Sequence, residues 1–143
     1  LATEFKHDKD GVKFTLEYPD TFQAGETKAE VEVLRAAGPK GLPVVTANVY
    51  RKDGESKPEE AIKRVMAVFE SIGTGVELLG TEEVKTKDGT SGNKFEIEWM
   101  MGKTILTTNG LYTYKNGHVV SITVTHMDDP DDIMDIIDSL VFE

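Results

Sequence analysis

Cysteine does not occur in the 143 residues, which removes thiol nucleophiles, disulfide staples and thiolate metal sites together. The same absence leaves the redox compartment undetermined. No apolar run approaches the ~20 residues needed to cross a bilayer, and no charged-then-apolar leader opens the chain. Positive charge is also scarce. Sixteen Lys and Arg face 26 Asp and Glu, so a formal charge of -10 repels phosphate backbones and anionic lipid headgroups. Nucleic acid and anionic membrane surfaces are therefore not expected as partners. The bland reading of the surplus carboxylates is solubility, and the sharper one is a site for a cation or a basic partner.

With 38% hydrophobic and 29% charged residues, the composition is that of an ordered globular protein. A chain of this length hides ~68–70% of its unfolded surface on folding, enough for a core without staples. No repeat, low-complexity tract or linker divides it, so residues 1–143 are expected to form one domain. The opening Leu1-Ala2-Thr3 lacks an initiating Met, as expected of a processed mature protein or a trimmed product. An upstream export signal or lipid anchor, removed from a precursor, is the corresponding expectation.

Val12, Phe14 and Leu16 alternate with Lys13, Thr15 and Glu17, the period of a half-buried strand. Asp8-Lys9-Asp10-Gly11 supplies a turn before it, so residues around Phe5 are predicted to pair back as a short strand, and Pro19 ends the pairing. Val31–Leu34 and Val44–Tyr50 read as an antiparallel pair across Gly38-Pro39-Lys40-Gly41. Ser56 and Glu59 form a capping box for a helix whose apolar stripe is Ile62, Val65, Met66, Phe69 and Ile72. Gly73 is expected to end it in the left-handed conformation. A meander follows: Thr81–Thr86, Lys94–Met101, a type II′ turn at Gly102-Lys103, Thr104–Leu111, and a hairpin turn at Asn116-Gly117. A last helix carries Ile133, Ile136, Ile137 and Leu140, with Asp129 as N-cap and Pro130 at its first position. Val141-Phe142 then tucks against the core.

Hairpin turns fix register, and register fixes faces. The two turns place Trp99 opposite Leu106, Ile97 opposite Thr108, Thr113 opposite Val120 and Leu111 opposite Ile122. Trp99 and Ile122 then fall on opposite faces of the sheet. Either a bulge near Asn109-Gly110 shifts the register, or both faces are covered by helices; the second is favoured.

The residues give no catalytic constellation. There is no GxSxG elbow, no GxxxxGK[ST] or GxGxxG phosphate loop, and Gly73-Thr74-Gly75 follows a helix instead of opening one. Thr90-Ser91-Gly92 lies in a loop. His7, His118 and His126 are scattered without zinc spacing; His118 is expected in solvent and His126 in a helix-end contact. Glu96 and Glu98 share a strand face and could do acid and base work, although a solvated face explains them equally. Asp128, Asp129, Asp131 and Asp132 are hard oxygen ligands suited to calcium, but they lack the EF-hand pattern and capping accounts for them. Trp99, Tyr112 and Tyr114 are the candidate ligand-binding aromatics, with core packing as the competing reading. No cofactor is expected.

The succession Val12-x-Phe14-x-Leu16-x-Tyr18-Pro19-x-x-Phe22, two strands, a helix over Pro58 to Ile72, a late meander and a closing Ser139-Leu140-Val141-Phe142 resembles the PsbP-like family. That fold is shared with Ran-binding Mog proteins and with bacterial envelope proteins. The resemblance implies an α+β fold, an α/β/α sandwich with a central, mainly antiparallel sheet. It implies docking roles in place of catalysis, such as assisting a photosystem's oxygen-evolving centre or modulating a small GTPase, and no residue motif carries either role over. An extracytoplasmic place, in the cell envelope or secreted, is what its bacterial members imply. The leading expectation is thus a noncatalytic binding or accessory domain with a protein partner. The alternative is a small-ligand-binding protein or enzyme using an apolar pocket between helix and sheet.

Overall fold

The computed structural model describes residues 3–54, 57–127 and 132–143. In chain order they form β1 (Thr3–Lys9), β2 (Val12–Tyr18), β3 (Gln23–Ala24), β4 (Glu32–Ala37), β5 (Val44–Arg51), α1 (Pro58–Ile72), β6 (Thr74–Lys85), β7 (Ser91–Met101), β8 (Thr104–Lys115), β9 (His118–His126), α2 (Asp132–Asp138) and β10 (Val141–Phe142). Seven strands make an antiparallel sheet in the order β3-β4-β5-β9-β8-β7-β6, and β1-β2-β10 make a second, smaller one. The architecture is α+β with a central antiparallel sheet, α1 on one face, and α2 with the small sheet on the other.

Turn chemistry set the register as the sequence predicts. Asn116 and Gly117 both take positive φ (50° and 74°), the requirement of a type I′ turn, and β8 and β9 pair with Thr113 opposite Val120 and Leu111 opposite Ile122. Trp99 lies opposite Leu106 and Ile97 opposite Thr108. The register runs unshifted through both pairings, so the two-face explanation holds. Phe95, Ile97, Trp99, Leu106, Tyr112 and Val119 pack under Ala61 and Ile62 of α1. On the reverse face Leu111, Val120, Ile122 and Val124 join Phe14 and Leu16 of β2 and Ile133, Ile136 and Ile137 of α2. Each such buried side chain stabilises the fold by ~1.5–3 kcal/mol.

Several expectations are corrected. The N-terminal hairpin forms its own sheet apart from the main one, and Phe142 enters that sheet opposite Phe14 instead of merely tucking in. The first helix has its N-cap at Lys57, with no side-chain cap hydrogen bond, and begins with Pro58, whose fixed φ suits a first helical residue. Ser56, the predicted cap, lies outside the described residues. Ile72 is 54% exposed, because the stripe loses contact with the sheet where the chain turns into β6. Gly73 is extended (φ -149°), not left-handed: a Cβ there would strike the Met100 carbonyl and the Trp99 ring, so close approach, not turn geometry, demands glycine. No bulge occurs at Asn109-Gly110. Gly110 lies opposite Phe95, whose ring occupies the space a Cβ would need. Irregular register occurs elsewhere, between Glu32 and Leu34 against β5 and at two points in β6.

Asp88, in the β6–β7 turn, ties the two sheets together. Its carboxylate accepts hydrogen bonds from Thr86 Oγ1 (2.7 Å), Thr90 Oγ1 (2.5 Å) and the Phe142 backbone N–H (3.0 Å). Partial desolvation raises its pKa, but the three donors outweigh that and hold it below the ordinary 3.8. A carboxylate with a depressed folded pKa contributes stability that is complete above the unfolded value and is lost as pH falls through the folded one.

Two outcomes are expected in urea titrations. Gly110→Ala loses ~1–3 kcal/mol through overpacking against Phe95. Asp88→Ala loses about 1 kcal/mol at neutral pH, the modest size reflecting an exposed carboxylate, and its deficit shrinks as pH falls through and below the ordinary Asp value.

Candidate functional site

The two layers do not cover the central sheet evenly. One face is roofed by α1 over β6, β7 and β8, whereas on the reverse face α2 packs on β2, β8 and β9. The reverse face of β6 and β7 is therefore left beyond the edge of α2, and register identifies what stands on it. Glu77 is opposite Glu98, Gly80 is opposite Glu96, and Glu82 is opposite Lys94. Side chains alternate along a strand, so Lys94, Glu96 and Glu98 share one face and Phe95, Ile97 and Trp99 the other. The predicted pairing of Glu96 with Glu98 on one face is correct, and β6 adds Glu77 and Glu82 beside them.

A depression of about 350 Å³ opens here between the strands and α2, lined by Gly80, Glu82, Lys94, Glu96, Asn109 and Met134 among others. Its one cation is already engaged: Lys94 Nζ lies 2.7 Å from Asp138 Oδ1 on α2. No ion pair among the described residues engages Glu77, Glu82, Glu96 or Glu98. Glu96 is oriented by Asn109, whose Nδ2 donates to its Oε2 at 3.1 Å, and Asn109 Oδ1 is 2.7 Å from Nε2 of the buried His126. An amide oxygen can only accept, so the His126 Nε2 is the donor, and the imidazole, the amide and the carboxylate form one chain of hydrogen bonds. His126 and Asn109 share a face of neighbouring strands, which brings the imidazole to the amide; the acidic run 128–131, against which a helix-end contact of His126 is expected, lies outside the described residues. His118 is half-buried, its Nδ1 2.8 Å from the Asn116 carbonyl.

Chemically, the quadrant is a rigid strip of negative charge. Like charges directly opposite one another, as at Glu77 and Glu98, destabilise a sheet. Among the described residues no group of three or more His, Cys, Asp and Glu is gathered closely enough to hold a metal ion. The carboxylates are spread along two strands, an arrangement that matches a cationic surface better than a single ion.

The aromatics singled out in the sequence lie on the opposite face. Trp99 is 3% exposed, stacked on Phe69 of α1 at 4.4 Å between ring centroids, and its Nε1 donates to Thr108 Oγ1 at 3.1 Å. Tyr112 is likewise buried, and the Tyr114 hydroxyl donates to the carbonyls of Lys52 (2.7 Å) and Gly54 (2.6 Å). The space between helix and sheet at Trp99 is thus filled by Phe69, and a ligand there would have to displace it. Asp132 begins α2, while Asp128, Asp129 and Asp131 lie outside the described residues. Sequence reasoning missed Glu77, Glu82 and Asn109 as site residues. The register of the Gly102 hairpin placed Asn109 beside Glu96, but β6 begins seven residues earlier than predicted, and its irregularities hid the alignment of Glu77.

No protein-family model and no curated protein sequence matches the chain. Solved structures do. The solution structure of cyanobacterial PsbP from Synechocystis is similar at a TM-score of 0.75 and 13% identity, covering 99% of this chain and 92% of that one. LpqN of Mycobacterium tuberculosis, described as involved in cell envelope biogenesis, is similar at 0.68 and 14%, covering 98% and 90%. A Bacteroides thetaiotaomicron protein is similar at 0.60 and 14%, covering 91% of this chain and 45% of that one. The fold is PsbP-like, as the order of elements implied.

Glu77→Lys converts the repulsive pair with Glu98 into an attractive one. Thermal and urea unfolding should show a gain of ~0.2–1 kcal/mol at low salt, shrinking toward zero at ~1 M salt.

Proposed function

We propose that this chain is a noncatalytic docking domain of the bacterial cell envelope, outside the cytoplasm, whose acidic quadrant receives a cationic surface on a partner protein. The observation that carries the reading is the strip Glu77, Glu98, Glu96 and Glu82, held on the reverse face of β6 and β7 beyond the edge of α2 and, among the described residues, engaged by no ion pair. A like-charged strip costs stability, and a surface that keeps such a cost is best explained by what it meets. Rigid presentation on paired strands favours electrostatic steering, in which opposite potentials speed encounter and exclude wrong partners. The likeness to LpqN supports the envelope setting, and the likeness to PsbP supports an accessory part in a larger assembly. Among the described residues no helix is long and apolar enough to cross a membrane.

The test uses washed envelope preparations from cells that make the protein. The chain should bind them saturably, and Glu77→Lys/Glu82→Lys/Glu98→Lys should weaken binding by at least ~10-fold, as should raising salt from ~50 to ~300 mM. Equal binding by the variant, or a cytoplasmic location on fractionation, would overturn the proposal.

A further inference from the structure

Among the described residues, the central sheet ends in a strand with no second partner. β6 is the terminal strand of the seven, paired with β7 alone, and its outer edge offers backbone N–H and C=O groups to any extended chain. Edge strands are usually blunted by bulges, prolines, charged side chains or short length. In β6 both irregularities lie before Gly80, between Thr74 and Glu77 and between Leu78 and Gly80. From Gly80 to Lys85 the register on β7 is continuous, and the segment holds no proline. The first half of the strand is guarded by its irregularities, and the straight second half by charge alone, through Glu82, Glu83 and Lys85.

We infer that the Gly80–Lys85 edge takes an extended basic segment of a partner protein as an eighth strand. This rests on the docking reading for the sign of the partner's charge and adds the manner of its attachment. Two depressions lie over the β6–β7 ladder inward of this edge, one of about 350 Å³ against Leu79–Glu82, Lys94–Glu96 and α2, and one of about 490 Å³ against Glu83–Lys85 and Ser91–Asn93. Side chains of an added strand would project every second residue toward either face, beside the side chains of β6 that stand on the same face. Glu82 and Glu83 are both exposed and, being adjacent, stand on opposite faces. Lysine or arginine side chains of the incoming strand therefore meet a carboxylate whichever way they point. A second copy of this chain fits poorly. Antiparallel self-pairing centred on residues 82 and 83 would set Glu82 against Glu83 twice, on a molecule already at -10.

The probe is a seven-residue peptide alternating lysine and valine, blocked at both ends, titrated into the 15N-labelled full chain. Strand addition predicts slowed hydrogen exchange at alternate amides within residues 80–85, together with saturable shifts there. Glu82→Lys/Glu83→Lys should weaken binding at least ~10-fold while leaving the melting curve within a few degrees, since both side chains are exposed. If the peptide shifts Glu77 and Glu98 but leaves exchange at 80–85 unchanged, the edge inference fails and the docking reading survives. Equal binding of a glutamate–valine peptide overturns both. Dimerisation on sedimentation, abolished by the same double variant, would make a second copy the occupant and overturn the inference.

Discussion

The ladder of β7, β8 and β9 carries everything else in this protein. Its two tight turns put Trp99 and Leu106 on one face and Leu111 and Ile122 on the other, so one continuous stretch of β8 serves two cores at once. A one-residue slip would exchange the two sets, sending Thr and Asn side chains under both helices. Because β8 lies between β9 and β7, the same hydrogen bonds that fix the apolar faces also fix Glu96 beside Asn109. The surface charge pattern is thus set by the same constraint as the core.

Coverage explains why the charge lies where it does. On the α1 side the helix reaches across β6 to β8, and β7 answers with Phe95, Ile97 and Trp99. On the reverse side α2 and the small sheet stop short, and the intervening residues Lys94, Glu96 and Glu98 are polar. Alternation along β7 is therefore a record of which face is roofed. The lone cation, Lys94, is drawn to Asp138 at the rim of α2, which leaves the carboxylates beyond it as an unrelieved field.

Much of this was readable from the residues, and for physical reasons. Turn signals such as Asn116-Gly117 have few conformational solutions, so register and faces followed from them. The two-face arrangement followed from register, and the PsbP-like fold from the order of elements. What the sequence hid depends on long-range fit. Gly73 and Gly110 looked like a cap and a bulge, since glycine signals backbone freedom, yet both are empty space for neighbouring rings. The separate small sheet was invisible because Val141-Phe142 is too short to read as a strand without its partner. The aromatics drew attention as ligand candidates because chemistry-bearing side chains stand out, but Phe69 at helical spacing was the residue that would lie on Trp99. The acidic quadrant is a property of two strands in alignment, and no local pattern contains it.

The pairing of Phe142 with Phe14 has a bearing on how the molecule reaches its native state. The meander can assemble from neighbours in sequence, whereas the small sheet requires segments separated by nearly the whole described chain to find each other. Contacts of such long separation pay loop-closure entropy before they return any stabilisation, which slows folding. Until they form, the inner side of the first hairpin, with Val12, Phe14 and Leu16, stays open to water and to other chains. The interval before that closure is the stage at which the nascent molecule is most prone to association with its own kind.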